Sequence, residues 1–332
     1  MLELLDGVFA ALLDFFALLQ GWLLENIVQP VFVPLGWAAY LEPAFDGLGL
    51  FLFGVLQLAL IYVLFRPLEA LWPVEQWQDR KAVRVDVLYT CLDRLGVVPL
   101  GVFLLLAPLF MEVDGWLRFH DLIPPQLEDF VPNLDQRPLL SFFIYLLIFD
   151  FAEYWRQRLA HTWKAWWALH AIHHSQRQMS FWADSRNHLL DNVIAGLWFA
   201  VLALLIGVPP MHFVELTVLI SSVENLSHIN AKISFGTWGE RLIVSPRYHR
   251  WHHALTLPEG KRFRYGCNFA ILFPIWDWLF GTQYLNKAWV ATGIADGTFP
   301  DDGAKAGFWQ QQWEGLQAMW AALRPARQQL KA

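Results

Sequence analysis

Ten of the eleven histidines in this 332-residue chain lie between His161 and His253. The densest groups are His170-Ala-Ile-His173-His174 and His249-Arg-Trp-His252-His253, two copies of the pattern H-x-x-H-H. On a helix, residues i and i+4 share a face, so His170 and His174 point together, as do His249 and His253, with His173 and His252 one step round. Two such helices offer six imidazoles to one cavity, and His161, His188 and His228 add three more. Nine nitrogens exceed the needs of one ion and suit two ions sharing a site. His120 and His212, away from these groups, read as ordinary hydrogen-bonded side chains.

The histidines sit among long apolar runs. Hydrophobic residues make up 56% of the chain and charged residues 16%, where soluble domains carry about 25% charged residues; mean hydropathy is +0.34. The fold class this implies is all-α: a polytopic membrane protein whose helical cytoplasmic-side cap holds a His-rich di-metal site. Segments 47–65, 95–111 and 139–149, the last continuing to Trp155, approach the roughly 20 apolar residues that span a hydrocarbon core. Segments 193–208 and 213–226 flank Pro209-Pro210-Met211-His212 and read as a helical hairpin that dips into or crosses the bilayer. Residues 7–24, interrupted by Asp14, either span or lie in the interface. Near the end, Phe308, Trp309, Trp313, Leu316, Trp320 and Leu323 recur at helical spacing. That stripe fits the bilayer interface, or a helix packed on its own domain.

Charge orients the spans. Residues 1–65 contain no Lys or Arg. Loop 66–94 carries Arg66, Arg80, Lys81, Arg84 and Arg94 and belongs in the cytoplasm, whereas loop 112–138 is acidic and belongs outside. Crossing back through 139–154, then out and back through the hairpin, brings both histidine groups to the cytoplasmic face. The domains expected are an N-terminal membrane region over 1–138, a catalytic domain over 139–284 and a C-terminal interfacial tail over 285–332. Cys91 and Cys267 form no C-x-x-C, which argues against a disulfide framework or thiolate site. A net charge of -6 gives no nucleic-acid footprint. Structural zinc needs four ligands and favours Cys; iron with coordination positions open to dioxygen better suits this excess of imidazole.

Several motifs together resemble the fatty acid hydroxylase/sterol desaturase superfamily, and bacterial members and alkylglycerol monooxygenases most of all. They are Asp150-Phe-Ala-Glu-Tyr-Trp-Arg-Gln-Arg-Leu-Ala-His161, Trp167-Ala-Leu-His-Ala-Ile-His-His-Ser175, Arg186-Asn-His188, Leu226-Ser-His228-Ile-Asn230, Ser245-Pro-Arg-Tyr-His-Arg-Trp-His-His253, Tyr265-Gly266 and Trp276-Asp-Trp-Leu-Phe-Gly-Thr282. The resemblance covers about 139–284. It implies an integral membrane oxygenase that holds two iron ions and uses dioxygen to hydroxylate, desaturate or oxidatively cleave a lipid. The ligands it implies are His161, His170, His173, His174, His188, His228, His249, His252 and His253.

One position departs from the family, which has H-R-x-x-H where this chain has Gln157-Arg158-Leu-Ala-His161. Gln157 lies at i−4 from His161 and still points at the site, but an amide oxygen is a weaker iron ligand. Asp150 and Glu153 on the same segment can compensate, and Asp150, Glu153, Gln157 and Asn230 are the candidate catalytic side chains. Asp184, Asp191 and Asp277 join Asp150, Glu153 and Asn230 as groups that can orient the imidazoles. Arg158, Arg247 and Arg250 either pair with such acids or hold a lipid headgroup. Electrons are expected from a separate donor protein, and the localisation expected is a bacterial inner membrane. Two other readings stay open: a His-rich metal transporter, and a non-catalytic lipid-binding relative weakened at Gln157.

Overall fold

The structure is a computed structural model that describes residues 2–77, 80–122, 125–298 and 306–324, and within them the protein is all-helical, with no β-strand. The principal helices are α1 (Leu2–Leu23), α2 (Leu41–Leu71), α3 (Arg80–Arg94), α4 (Val97–Phe119), α5 (Pro138–Thr162), α6 (Lys164–His174), α7 (Leu189–Ile206), α8 (Pro210–Ser227), α9 (Pro246–His252), α10 (Ile275–Leu279) and α11 (Phe308–Leu323). They fall into two compact units. One is built from residues up to 63 with 91–100, the other from 64–90 and the residues from 101 onward.

Among the described residues, four helices are long and apolar enough to cross a membrane: Ala38–Leu71, which contains α2, and α4, α5 and α7. Segments 47–65 and 139–155 fall inside them, as do nearly all of 95–111 and 193–208. In the first unit, α2 approaches the chain so closely at Gly54 that a Cβ there would collide with the backbone carbonyl of Arg94. In α4, Phe103, Leu104 and Leu105 are all exposed, a surface suited to hydrocarbon rather than water. The hairpin forms as expected. α7 ends on Gly207 in the left-handed region, φ +59°, and Pro210 opens α8 at a position where a proline costs no helical hydrogen bond. α8, with His212, Glu215, Glu224 and Asn225 in its 18 residues, is not among the four apolar helices.

α5 differs from the other spans because one of its faces is buried in protein. Ser141, Tyr145, Phe149, Glu153, Gln157 and His161, each four residues after the last, are all buried. The membrane end of that ladder packs Tyr145, Leu146 and Phe149 against Leu216 of α8 and Leu272. Further along, Tyr154 packs with Val244, Tyr248, Phe269 and Ala270.

Two buried carboxylates tie the 268–282 segment to this core. Asp150 accepts hydrogen bonds from the Leu272 and Phe273 amides at 2.9 and 3.1 Å and from the Trp276 indole at 2.7 Å. Asp277 accepts from the Phe269 and Ala270 amides at 2.8 and 2.9 Å, from the Tyr248 hydroxyl at 2.9 Å and from the Thr282 hydroxyl at 2.7 Å. The candidate Asp150 is therefore a backbone anchor. An Asp277→Ala substitution would strand two amides and a phenol inside the protein. The expected loss is about 3 kcal/mol or more, since each stranded group costs about 1–3 kcal/mol. Thermal unfolding of the purified protein in detergent should show that loss, and Asp277→Asn should recover part of it.

Candidate metal centre

The centre is assembled from four helix ends. His161 occupies the last turn of α5, which stops at Thr162 as Trp163 turns to extended backbone (φ −89°, ψ 111°). α6 starts immediately and brings His170, His173 and His174 in its final turns; the Ser175 hydroxyl donates back to the Ile172 carbonyl at 2.7 Å. His228 caps the end of α8. α9 begins where the Ser245 hydroxyl accepts the Tyr248 amide at 3.1 Å and Pro246 occupies the first turn, and its end carries His249, His252 and His253.

Eight imidazoles converge as two buried quartets. His161, His170, His174 and His252 form the first, and His173, His228, His249 and His253 the second; within each, the ligand atoms lie within 4.8 Å of one another. The doubled motif is interleaved between them. α6 gives its i, i+4 pair to the first quartet and His173 to the second. The second motif gives its i, i+4 pair to the second quartet and His252 to the first. The His174 and His253 rings stack across the boundary with centroids 4.2 Å apart.

The ring protons can be assigned from their acceptors. His161 Nδ1 meets the Tyr265 carbonyl at 3.0 Å, His252 Nδ1 the Cys267 carbonyl at 3.1 Å and His228 Nδ1 the Glu224 carbonyl at 2.7 Å. His170 Nδ1 meets the Asp191 carboxylate at 3.0 Å. A carbonyl only accepts, so Nδ1 carries the hydrogen and Nε2 presents a lone pair. Gly266, at φ +123°, lets the chain pass beside His161, where a Cβ would stand 3.3 Å from Nδ1. Asp184 lies 3.6 Å from His228 Nδ1, and Asp191 also accepts the Trp166 indole at 2.7 Å.

These residues fit metal ions. The buried Nε2 atoms of His170 and His252 have no hydrogen-bond partner. Other Nε2 atoms face one another at 3.1 Å (His161–His174 and His249–His253) and 3.2 Å (His173–His228 and His228–His249). Nitrogens about 2.0–2.1 Å from a shared ion would be about 2.9 Å apart at right angles and about 3.4 Å apart in a tetrahedron. Metal ligands must be neutral imidazoles, and burial works in that direction for six of the rings. It pushes His173, His174, His249 and His253 well below the usual 6.5, aided by the neighbouring imidazoles, and takes His228 to about 4 and His252 to about 3.

The remaining predicted side chains are placed elsewhere. His188 joins neither quartet: its Nδ1 accepts the Leu190 amide at 2.9 Å as the N-cap of α7, and its Nε2 donates to the Gln312 carbonyl at 2.9 Å. The nine-ligand expectation is thereby corrected to eight, because both nitrogens of His188 are already engaged. Asn230 is corrected too. Its side chain donates to the Glu75 carbonyl at 2.8 Å and accepts the Glu75 amide at 3.2 Å, away from the imidazoles. Glu153 is held by Arg156 through two hydrogen bonds of 2.5 and 2.7 Å. Gln157 is buried with Oε1 unpartnered, and four imidazoles gather in each quartet without it. α11 buries Phe308, Gln311, Gln312 and Gly315, with the Phe308 ring 4.7 Å from that of Tyr89 and Gln312 donating to the Tyr89 hydroxyl at 2.9 Å, while Trp309, Trp313, Trp320 and Leu323 remain exposed.

Sequence reasoning missed the acids that precede the domain. Glu69 accepts the Phe181 and Asn230 amides, Glu75 pairs with Arg250 at 2.9 Å, and fully buried Asp86 pairs with Arg186 at 2.5 Å. The available signal was acidic residues within a loop otherwise notable for its Lys and Arg.

Comparison with known proteins gives a consistent picture. Residues 142–282 match the family model for fatty acid hydroxylase. Ornithine lipid hydroxylase OlsE of Rhizobium tropici is 29% identical over 220 residues, 64% of this chain and 62% of that protein. Alkylglycerol monooxygenase of Homo sapiens is 29% identical over 145 residues, 44% of this chain and 31% of that protein. Delta(7)-sterol 5(6)-desaturase ERG3B of Gibberella zeae is 26% identical over 167 residues, 50% of each. The matched region spans less than two thirds of each of these relatives. No solved structure matches the chain.

Two outcomes follow. His188→Ala should leave the metal content unchanged while costing about 1 kcal/mol as a lost cap, read by elemental analysis and thermal unfolding on the same sample. Metal-free protein should lose stability as pH falls below 6.5, because the unfolded chain then binds protons that His228 and His252 refuse until about 4 and 3. Each such ring contributes about 1.4 kcal/mol per pH unit within its window. The check is the unfolding temperature of chelator-treated protein between pH 7.5 and 5.

Proposed function

We propose, from the match of residues 142–282 to the family model for fatty acid hydroxylase, that the protein is a membrane-bound di-iron oxygenase acting on a lipid. The observation that carries this is the pair of four-imidazole quartets, buried side by side and fed by the same two motifs. Iron held there would supply what no side chain can, the use of dioxygen to oxidise an unactivated C–H bond. For hydroxylation the balance is one C–H bond, dioxygen, two electrons and two protons giving an alcohol and water. The electrons come from a separate donor protein. Desaturation and oxidative cleavage are the related outcomes.

The chain's own residues hold and orient. The Tyr265, Cys267 and Glu224 carbonyls and the Asp191 carboxylate fix four rings with Nε2 inward. All eight rings are buried among protein side chains. The placement proposed is the inner membrane of a bacterium, with the centre on the cytoplasmic side. Support comes from the Lys/Arg-rich segment 66–94, whose Glu75 and Asp86 pair with Arg250 and Arg186 beside the histidine motifs. A transporter would string its ligands along a pathway, whereas these converge on one enclosed centre. A relative disabled at Gln157 would lack a ligand, whereas four imidazoles gather in each quartet.

The test is direct. Purified full-length protein should carry two irons and consume dioxygen only with a reductant and a lipid, and membranes of producing cells should contain a lipid heavier by one oxygen atom. His170→Ala and His249→Ala should each reduce bound iron and abolish uptake. Metal flux into liposomes without oxygen consumption would overturn the proposal.

A further inference from the structure

A cavity of about 450 Å³ opens onto one quartet only. Its floor includes His161, His174 and His252, three of the four rings of the first quartet, and none of His173, His228, His249 or His253 lines it. Its walls come from the start of α6 and from the 254–265 and 293–296 segments, which lie after the apolar stretch of α5 and outside the four apolar helices. The walls of this route to the first quartet are thus built from segments other than the apolar helices.

Two cations, Lys164 and Arg264, line this cavity, and both side chains are exposed. Arg264 lies over the Tyr265 ring, 5.2 Å from its centroid, which leaves the guanidinium hydrogens in the ring plane able to donate. The lining acid, Asp296, is outnumbered by these two cations, and its oxygens accept the Trp167 indole at 2.7 Å and the Thr298 amide at 2.9 Å. The rest of the wall is largely apolar, with Leu255, Leu257 and Ile294. Cations with an apolar wall describe an amphiphile with a negatively charged end.

We propose that this cavity binds the anionic end of an amphiphile, drawn in by Lys164 and Arg264 and delivered to His161, His174 and His252 alone. This rests on the oxygenase reading for the identity of the substrate, but not for the binding itself. The two quartets are then unequal: the first meets the substrate, and the second is screened from the cavity.

The experiment is equilibrium binding of octanoate, octanol, octyltrimethylammonium and acetate to the purified full chain in neutral detergent, with iron content measured on the same samples. Octanoate should bind more tightly than octanol or octyltrimethylammonium by at least about tenfold, the ratio expected of one charge-assisted hydrogen bond. Acetate should bind weakly; tight acetate binding would reveal a simple anion site and overturn the amphiphile assignment. In Lys164→Ala/Arg264→Ala the preference for octanoate should vanish, and in Lys164→Arg it should persist. Ala295→Trp, on the exposed wall, should block octanoate. No preference in the wild type, or a preference that survives the double substitution, overturns the proposal. Two irons without anion preference would leave the oxygenase reading intact, whereas anion preference without iron would leave this site intact and remove that reading.

Discussion

Eight imidazoles must be neutral, buried and aimed at one another, and that requirement governs the rest of the molecule. A buried lone pair without a donor costs free energy that no apolar packing returns. His170 and His252 each carry such an atom at Nε2. Their Nδ1 hydrogens are already committed, to Asp191 and to the Cys267 carbonyl. The rings therefore cannot resolve the deficit by exchanging protons among themselves, whereas cations between the nitrogens remove it. Folding and metal binding should be linked for that reason, with the helix ends held ready by interactions of their own.

Those interactions explain the shape of the domain. α5 carries a ladder of buried positions from Ser141 to His161, so one helix reaches from an apolar core to the first quartet. Asp150 and Asp277 capture the amides of Leu272, Phe273, Phe269 and Ala270, and so fix the strip of chain that supplies the Cys267 carbonyl to His252. Asp86, deep against Arg186, also accepts from Gln176, while Arg186 donates to the Ile172 carbonyl and the Ser175 hydroxyl at the end of α6. Each clamp lies one or two contacts from an imidazole. Each is a buried polar group that is satisfied only in the native arrangement, so the clamps confer geometry rather than mere compactness.

The helices and the convergence of the histidines were legible because both depend on sequence spacing. Apolar runs marked the spans, and the i, i+4 relation within H-x-x-H-H placed His170 with His174 and His249 with His253. What spacing cannot express is which partner a side chain meets from far along the chain. His188 looked like a ligand until Gln312, from α11, took its second nitrogen. Asn230 looked catalytic until Glu75 bound both ends of its amide. Backbone acceptors are invisible by nature: Tyr265 and Cys267 act through carbonyls that any residue would supply. The doubt raised by Gln157 came from counting ligands in one motif, and it weakens once four imidazoles gather in each quartet without it.

The two quartets also share a design in the layer behind them. Neutral imidazoles do not cancel the charge of divalent ions, so nearby carboxylates must moderate it. Each quartet has one, placed behind a single ring: Asp191 behind His170 in the first, and Asp184 near His228 in the second. Both acids are held by further donors, Trp166 for Asp191 and Asn225 for Asp184 at 2.6 Å. Asp191, hydrogen-bonded to His170, strengthens that imidazole as a donor and fixes its plane, whereas Asp184 acts on His228 by its charge, since that ring's Nδ1 hydrogen goes to the Glu224 carbonyl. Glu153 does not play this part, because Arg156 holds both of its oxygens, and the same arginine stands 4.0 Å from Asp191. The acid behind the first quartet is thus partly offset by a cation.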